Sequence, residues 1–139
     1  MTKQEIEQIY YINRELKMWE KELDRLKKRS PVTSPMPHNG SGYSISNPTA
    51  EISEHKIELG DYIKRKADEL QKARDEAVRF VWSIPDSLTR MIIFYRCVSL
   101  MSWRRVAYEV GGNNTEDSVK QTYRRFWEKQ QKSCHKCHE

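Results

Sequence analysis

Apolar residues recur at alternating intervals of three and four along two long stretches of this chain, and that spacing leaves few folds open. Within residues 3–29 the row is Ile9, Ile12, Leu16, Trp19, Leu23 and Leu26. Such a row lies on one helix face, as in the seam of a coiled coil or helical hairpin. Residues 49–84 carry two rows with a seven-residue repeat, Ile52, Leu59, Lys66, Ala73, Phe80 and Ile63, Leu70, Ala77, Ile84. Two long helices are therefore expected. Only 37% of the 139 residues are apolar and 32% are charged, too polar for one compact core drawn from the whole chain. That balance suits long helices with narrow seams plus a small globular unit. Two narrow seams leave little core for a monomer, so a homo-oligomer is expected, with the helices pairing within one chain or between chains.

Local signals mark the ends of these helices. Lys27, Lys28 and Arg29 suit the negative end of a helix dipole. Residues 30–48 hold four prolines, two glycines and several serines, which predicts a long flexible loop; His38 and Tyr43 lie within it. Thr49 is a candidate N-cap, without a full capping box because Ile52 stands where the box needs Glu or Gln. Gly60 lowers the helix propensity of its stretch by about 1 kcal/mol relative to Ala and is a candidate bend.

Pro85 ends or kinks the second helix. Asp86 or Ser87 then caps an apolar helix over 88–100, with Leu88, Ile92, Tyr95 and Val98 on its core face and Met91 and Phe94 widening it. Cys97 reads as a small buried hydrophobe. Ser102 is the expected N-cap of a short helix 103–110 whose buried face is Val106, Ala107 and Val110. Gly111 or Gly112 supplies a positive φ, Asn113 and Asn114 suit the turn, and Thr115 caps a last helix 115–127. In that helix Val119, Tyr123 and Phe126 are expected to face inward.

Two short helices about a glycine turn, supported by a third, form the pattern of a helix-turn-helix, which sets its second helix in the DNA major groove. On that reading Thr115, Ser118, Lys120, Gln121 and Arg124 face bases, since Gln pairs with adenine and Arg or Lys with guanine. Arg104, Arg105, Asn114 and Arg125 contact the DNA backbone. Trp103 is expected to pack beneath the turn. A three-helix bundle with no DNA role gives the same helix pattern. Charge favours the DNA reading: residues 86–139 hold 10 Lys/Arg against 6 Asp/Glu, a net of +4, whereas residues 1–85 hold 15 against 14, a net of +1. A basic balance favours polyanions.

Other chemistry finds little footing. The chain shows no Gly-rich phosphate loop, no nucleophile elbow and no carboxylate pair in an apolar setting, so catalysis is not expected. With no apolar run long enough to span a bilayer and no signal core at the start, a cytoplasmic protein without a membrane partner is expected. Three cysteines argue against a disulfide framework. The tail Cys134-His135-Lys136-Cys137-His138 has c-type haem spacing, but no export signal or haem pocket accompanies it. Zinc suits four soft ligands, yet five residues are too compact to close a tetrahedron alone, leaving a metal shared by two chains. The expectation is a flexible tail with no cofactor, in which Cys134, His135, Cys137 and His138 are the metal candidates.

The segment from Ile84 to Lys129 resembles the C-terminal domain of RinA- and ArpU-like late transcription regulators of phages and prophages of Gram-positive bacteria. The resemblance rests on Arg90, Tyr95-Arg96, Ser102-Trp103, Val106-Ala107, Gly112 to Thr115, Val119 and Arg125-Phe126. That domain is similar to the promoter-reading last region of bacterial sigma factors. The resemblance implies control of phage genes, with docking near a promoter and the helix from Thr115 in the major groove.

The expected architecture is all-α. It comprises a helical oligomerisation arm over 1–84, a helix-turn-helix domain over 85–130 and a Cys/His tail over 131–139. The expected function is a sequence-specific transcription regulator that binds double-stranded DNA in a bacterial host. The alternatives are a phage small terminase subunit for DNA packaging and an interaction protein that binds RNA polymerase through the arm.

Overall fold

A computed structural model describes residues 1–29 and 48–135, with side chains for 1–29 and 50–132. Most of the 30–48 loop, with His38 and Tyr43, lies outside the described residues, as do the side chains of the four metal candidates. The described residues are helical, with no strand among them. The helices are α1 (Lys3–Lys28), α2 (Pro48–Trp82), α3 (Ser87–Ile93), α4 (Trp103–Val110) and α5 (Glu116–His135), and a π-helical turn, Phe94–Val98, continues α3. Among the described residues no helix is long and apolar enough to cross a membrane.

Helix α1 opens on a reciprocal cap. The Thr2 N–H donates to Glu5 Oε2 at 2.7 Å, and the Glu5 N–H donates to Thr2 Oγ1 at 3.3 Å. This is the capping box, which satisfies two otherwise orphaned donors. Arg25, Lys27 and Lys28 occupy its last turn. Helix α2 starts at Pro48, one residue before the expected Thr49 cap. A proline at the first helical position sacrifices no hydrogen bond, because that N–H has no partner in the helix. The helix runs unbroken through Gly60 to Trp82.

The chain divides into two compact units. One is Asn13–Glu69; the other joins Met1–Ile12 to Leu70 and the residues after it. Both units take part of α1 and part of α2, so they cut across the division at residue 85 drawn from the sequence.

In the 13–69 unit the least exposed side chains are Leu26 and Leu59. A polar and aromatic cluster ties α1 to α2. Glu15 Oε1 accepts hydrogen bonds from the Tyr62 hydroxyl at 2.7 Å and from Trp19 Nε1 at 3.4 Å. Lys66 Nζ lies 3.6 Å from Glu15 and 2.9 Å from Glu69. The Trp19 and Tyr62 rings meet edge to face at 5.9 Å. The Tyr62 hydrogen bond, then that of Trp19, holds the Glu15 carboxyl below its ordinary pKa. This cluster explains why a lysine occupies an otherwise apolar row at position 66.

The other unit has a closed core. Ile6, Ile9, Ile92, Ile93, Val106 and Val119 are fully buried, with Ala77, Val81 and Ile84 nearly so. Asp86 caps α3, accepting from the Thr89 N–H at 2.8 Å and from the Thr89 hydroxyl. Arg90 grips the link between α2 and α3, donating to Ile84 O from Nε at 2.9 Å and from Nη2 at 2.7 Å. The face α3 buries differs from the expected one. Thr89, Ile92, Ile93, Cys97 and Val98 are buried, whereas Leu88, Met91 and Phe94 keep about a third of their surface exposed. Beyond Ile93 the π turn alters the period: its hydrogen bonds span five residues, as in Ser99 N–H to Phe94 O at 3.0 Å. Of the expected core face Ile92 and Val98 are buried, as is Cys97, while Leu88 is exposed and Tyr95 half-buried. Helix α5 also corrects the sequence reading. It extends to His135, and Trp127, not Phe126, is the buried member of its last inward turn. Trp127 stacks on Phe80 at 5.7 Å with an interplanar angle of 14°.

Candidate nucleic-acid interface

Helix α4 is set by its cap and its two inward residues. Ser102 Oγ accepts from the Arg105 N–H at 3.4 Å, while Val106 and Ala107 are buried. The chain then turns through three successive residues of positive φ, Gly111 (φ 67°), Gly112 (φ 64°) and Asn113 (φ 61°). Glycine takes such angles without steric cost and asparagine tolerates them, so Gly-Gly-Asn specifies a turn that most residues would oppose.

Asn114 locks the turn. Its Nδ2 donates to Gly111 O at 2.7 Å, and its Oδ1 accepts from the Ser118 hydroxyl at 3.1 Å. Thr115 Oγ1 accepts from the Ser118 N–H at 3.2 Å, which makes Thr115 the N-cap of α5. Of the residues expected to touch DNA, Thr115, Ser118 and Asn114 are thus joined by hydrogen bonds that shape the turn.

The other candidates are placed differently. Val119, Tyr123 and Trp127 form the buried face of α5. Gln121, Arg124 and Arg125 are exposed on the rest of its circumference. Lys120 is half-buried and paired with Glu116 one turn earlier. On α4, Arg104 and Arg105 are exposed, and Arg105 Nε lies 3.6 Å from Glu109. Lys120 and Arg124 also line one cleft, which Lys3, Tyr10 and Tyr11 of α1 share. Sequence reasoning assigned those three residues to a separate arm. No local signal marks them as neighbours of α5.

Trp103 packs inward as expected. It meets the Tyr123 ring edge to face at 5.2 Å, and the Arg96 guanidinium lies 4.6 Å above its indole. Arg96 Nη1 also donates to Met101 O at 2.7 Å. These contacts follow the π turn, whose exit places Leu100 at a positive φ of 55°, a region that costs a non-glycine residue about 1–2 kcal/mol.

Beneath the cleft, the Tyr123 hydroxyl donates to Glu7 Oε1 at 3.1 Å and lies 3.7 Å from Cys97 Sγ. Burial pushes the Cys97 thiol up to about 11 and raises the Tyr123 phenol as well. Cys97 is therefore a protonated core residue at neutral pH and a poor nucleophile. Among the described residues no group of three or more His, Cys, Asp or Glu side chains is arranged to hold a metal ion.

The exposed side of α5 carries the amide of Gln121 and the guanidinium groups of Arg124 and Arg125, with the carboxylates of Asp117 and Glu128 on the same side. The amide and guanidinium groups suit acceptor-rich, negatively charged partners. No protein-family model, curated protein or solved structure matches the chain.

Proposed function

We propose that the chain is a sequence-specific DNA-binding transcription regulator in which α4, the Gly-Gly-Asn turn and α5 act as a helix-turn-helix. The observation that carries this reading is the division of α5. Val119, Tyr123 and Trp127 anchor one side, while Gln121, Arg124 and Arg125 are exposed elsewhere on it. A helix held in that way presents a bidentate amide and guanidinium groups to base edges. Arg104 and Arg105, at the start of α4, suit phosphate contacts. Thr115, Ser118 and Asn114 support the reading by fixing the entry of α5. The resemblance to phage late regulators supplies the biological setting, transcription control near a promoter. The arm formed by the later part of α1 and the earlier part of α2, residues 13–69, would pair copies of the chain as a homo-oligomer. Exposed Met18 and Ile57 support that pairing.

Selection of genomic fragments by the purified full chain tests the reading, followed by binding measurements on the selected duplex. Arg124→Ala is expected to lose about 1–3 kcal/mol of discrimination at one base position. Arg104→Ala is expected to weaken binding to every sequence and flatten its salt dependence. Failure to enrich any fragment, with binding indifferent to both changes, sinks the proposal.

A further inference from the structure

The first turns of α1 and the side of α5 bearing Lys120 and Arg124 enclose a cleft of about 500 Å³. Its walls carry four cations, Lys3, Arg96, Lys120 and Arg124, against one carboxylate, Glu7; of the four, Arg96 is held by Met101 O and the Trp103 ring and Lys120 pairs with Glu116, which leaves Lys3 and Arg124 as the cations that face an occupant. Glu7 is already engaged, accepting from the buried Tyr123 hydroxyl at 3.1 Å and lying 3.8 Å from Lys3 Nζ. The Lys3–Glu7 pair is long and both side chains are over 40% exposed, so it holds Lys3 only weakly. Tyr10 and Tyr11 form part of the same wall, and Tyr11 is well exposed at 61%. The cleft thus offers positive charge, phenolic hydroxyls and aromatic faces in one place.

We propose that this cleft holds the sugar-phosphate strand of duplex DNA beside the base pairs read by α5, with Lys3 contacting a phosphate and the Tyr11 hydroxyl donating to the backbone. The proposal rests on the DNA-reading role of α5 given above. It makes residues 1–12 part of the interface, and not only of an arm. Two residues of the α5 wall, Lys120 and Arg124, are among those assigned to base edges, so its occupant must be continuous with what α5 touches. A phosphodiester strand meets that condition. Its oxygens only accept hydrogen bonds, which matches a lining of ammonium, guanidinium and phenol donors.

The test compares the wild-type full chain with Lys3→Gln, Lys3→Arg, Tyr11→Phe and Arg124→Ala. Binding to the selected duplex and to an unrelated one is measured across salt concentrations, and circular dichroism verifies that each variant folds. Each phosphate contact contributes about 0.9 to the slope of log affinity against log salt. Lys3→Gln is therefore expected to lower that slope by about 0.9, and affinity about eightfold at ~0.1 M salt, equally on both duplexes. Lys3→Arg retains the slope. Tyr11→Phe lowers affinity without changing the slope, because a neutral donor displaces no counterion. An unchanged slope and affinity in Lys3→Gln, with Arg124→Ala still altering base preference, overturns the cleft proposal and leaves the reading of α5 standing. If the wild-type chain binds neither duplex, both fall together.

Discussion

In the unit built from residues 1–12 and 70 onward, six large aliphatic side chains are fully buried, among them Ile6, Ile92, Val106 and Val119. Across residues 13–69 none is; the least exposed, Leu26 and Leu59, each retain 7% of their surface. The second unit relies instead on Glu15, Trp19, Tyr62 and Lys66, a half-exposed cluster of hydrogen bonds and ring contacts. A closed aliphatic core gains from excluding water and loses sharply when a cavity opens. A seam with a polar clasp gains less and responds to pH and helix propensity. The unit that carries the candidate interface is thus the better buried one, and a positioned reading surface needs that rigidity.

The largest effect separating the units is expected from core truncation. Ile92→Ala should cost about 4 kcal/mol, since Ile-to-Ala changes in close-packed cores cost ~2–5 kcal/mol. Leu59→Ala should cost about 2 kcal/mol, with lost hydrogen-exchange protection confined to residues 13–69. Urea denaturation and hydrogen exchange measure both; equal costs would break the comparison.

Next is the link between the chain's first residues and α5. Tyr123→Phe removes the hydrogen bond to Glu7 and should cost about 1 kcal/mol. Faster exchange over residues 6–12, with α4 unaffected, is the expected signature.

A gain is expected in the weaker unit. A Cβ added at Gly60 meets nothing within 4 Å, and the residue lies inside α2. Gly60→Ala should therefore stabilise that unit by about 0.5–1 kcal/mol, read as slower exchange in α2. A loss would mean that Gly60 serves a close approach to another chain.

The smallest effect is electrostatic. Hydrogen bonds from Tyr62 and Trp19 lower the Glu15 pKa in the folded chain, so the folded state binds this proton less readily than the unfolded one. The contribution is fully present above the ordinary glutamate range and is lost as pH falls through the lowered value. Exchange protection of the 13–69 unit should exceed that of Glu15→Gln at neutral pH and match it in acid. A difference that persists in acid would remove the carboxylate from the explanation.

Much of the helical layout was legible in the sequence because its signals are local. The seam from Ile9 to Leu26, the rows of α2, the Ser102 and Thr115 caps and the Gly-Gly-Asn turn all act within a few residues. The Thr2–Glu5 capping box is a local signal of the same kind. Two errors came from assuming regular periods. The π turn breaks the regular period after Ile93, so Val98 is buried five residues on while Tyr95, expected to face inward, is half-buried. The interval of four from Val119 to Tyr123 repeats to Trp127, so Phe126 lies beside the buried row and not in it. For the candidate interface, the exposed Gln121, Arg124 and Arg125 followed from helix geometry. The engagement of Asn114 with Ser118 depended on the particular turn formed.

By itself, then, the sequence determined where helices start, stop and turn, since caps, prolines and glycines act on neighbouring backbone. Only the tertiary structure decided which faces close into a core and that the chain's beginning belongs beside α5. The contact from Glu7 to Tyr123 spans 116 positions, and nothing in the periodicity of either helix encodes a partner at that distance. The stretch from Asp86 to Trp127 looked self-contained in sequence, yet its core is completed by Ile6 and Ile9.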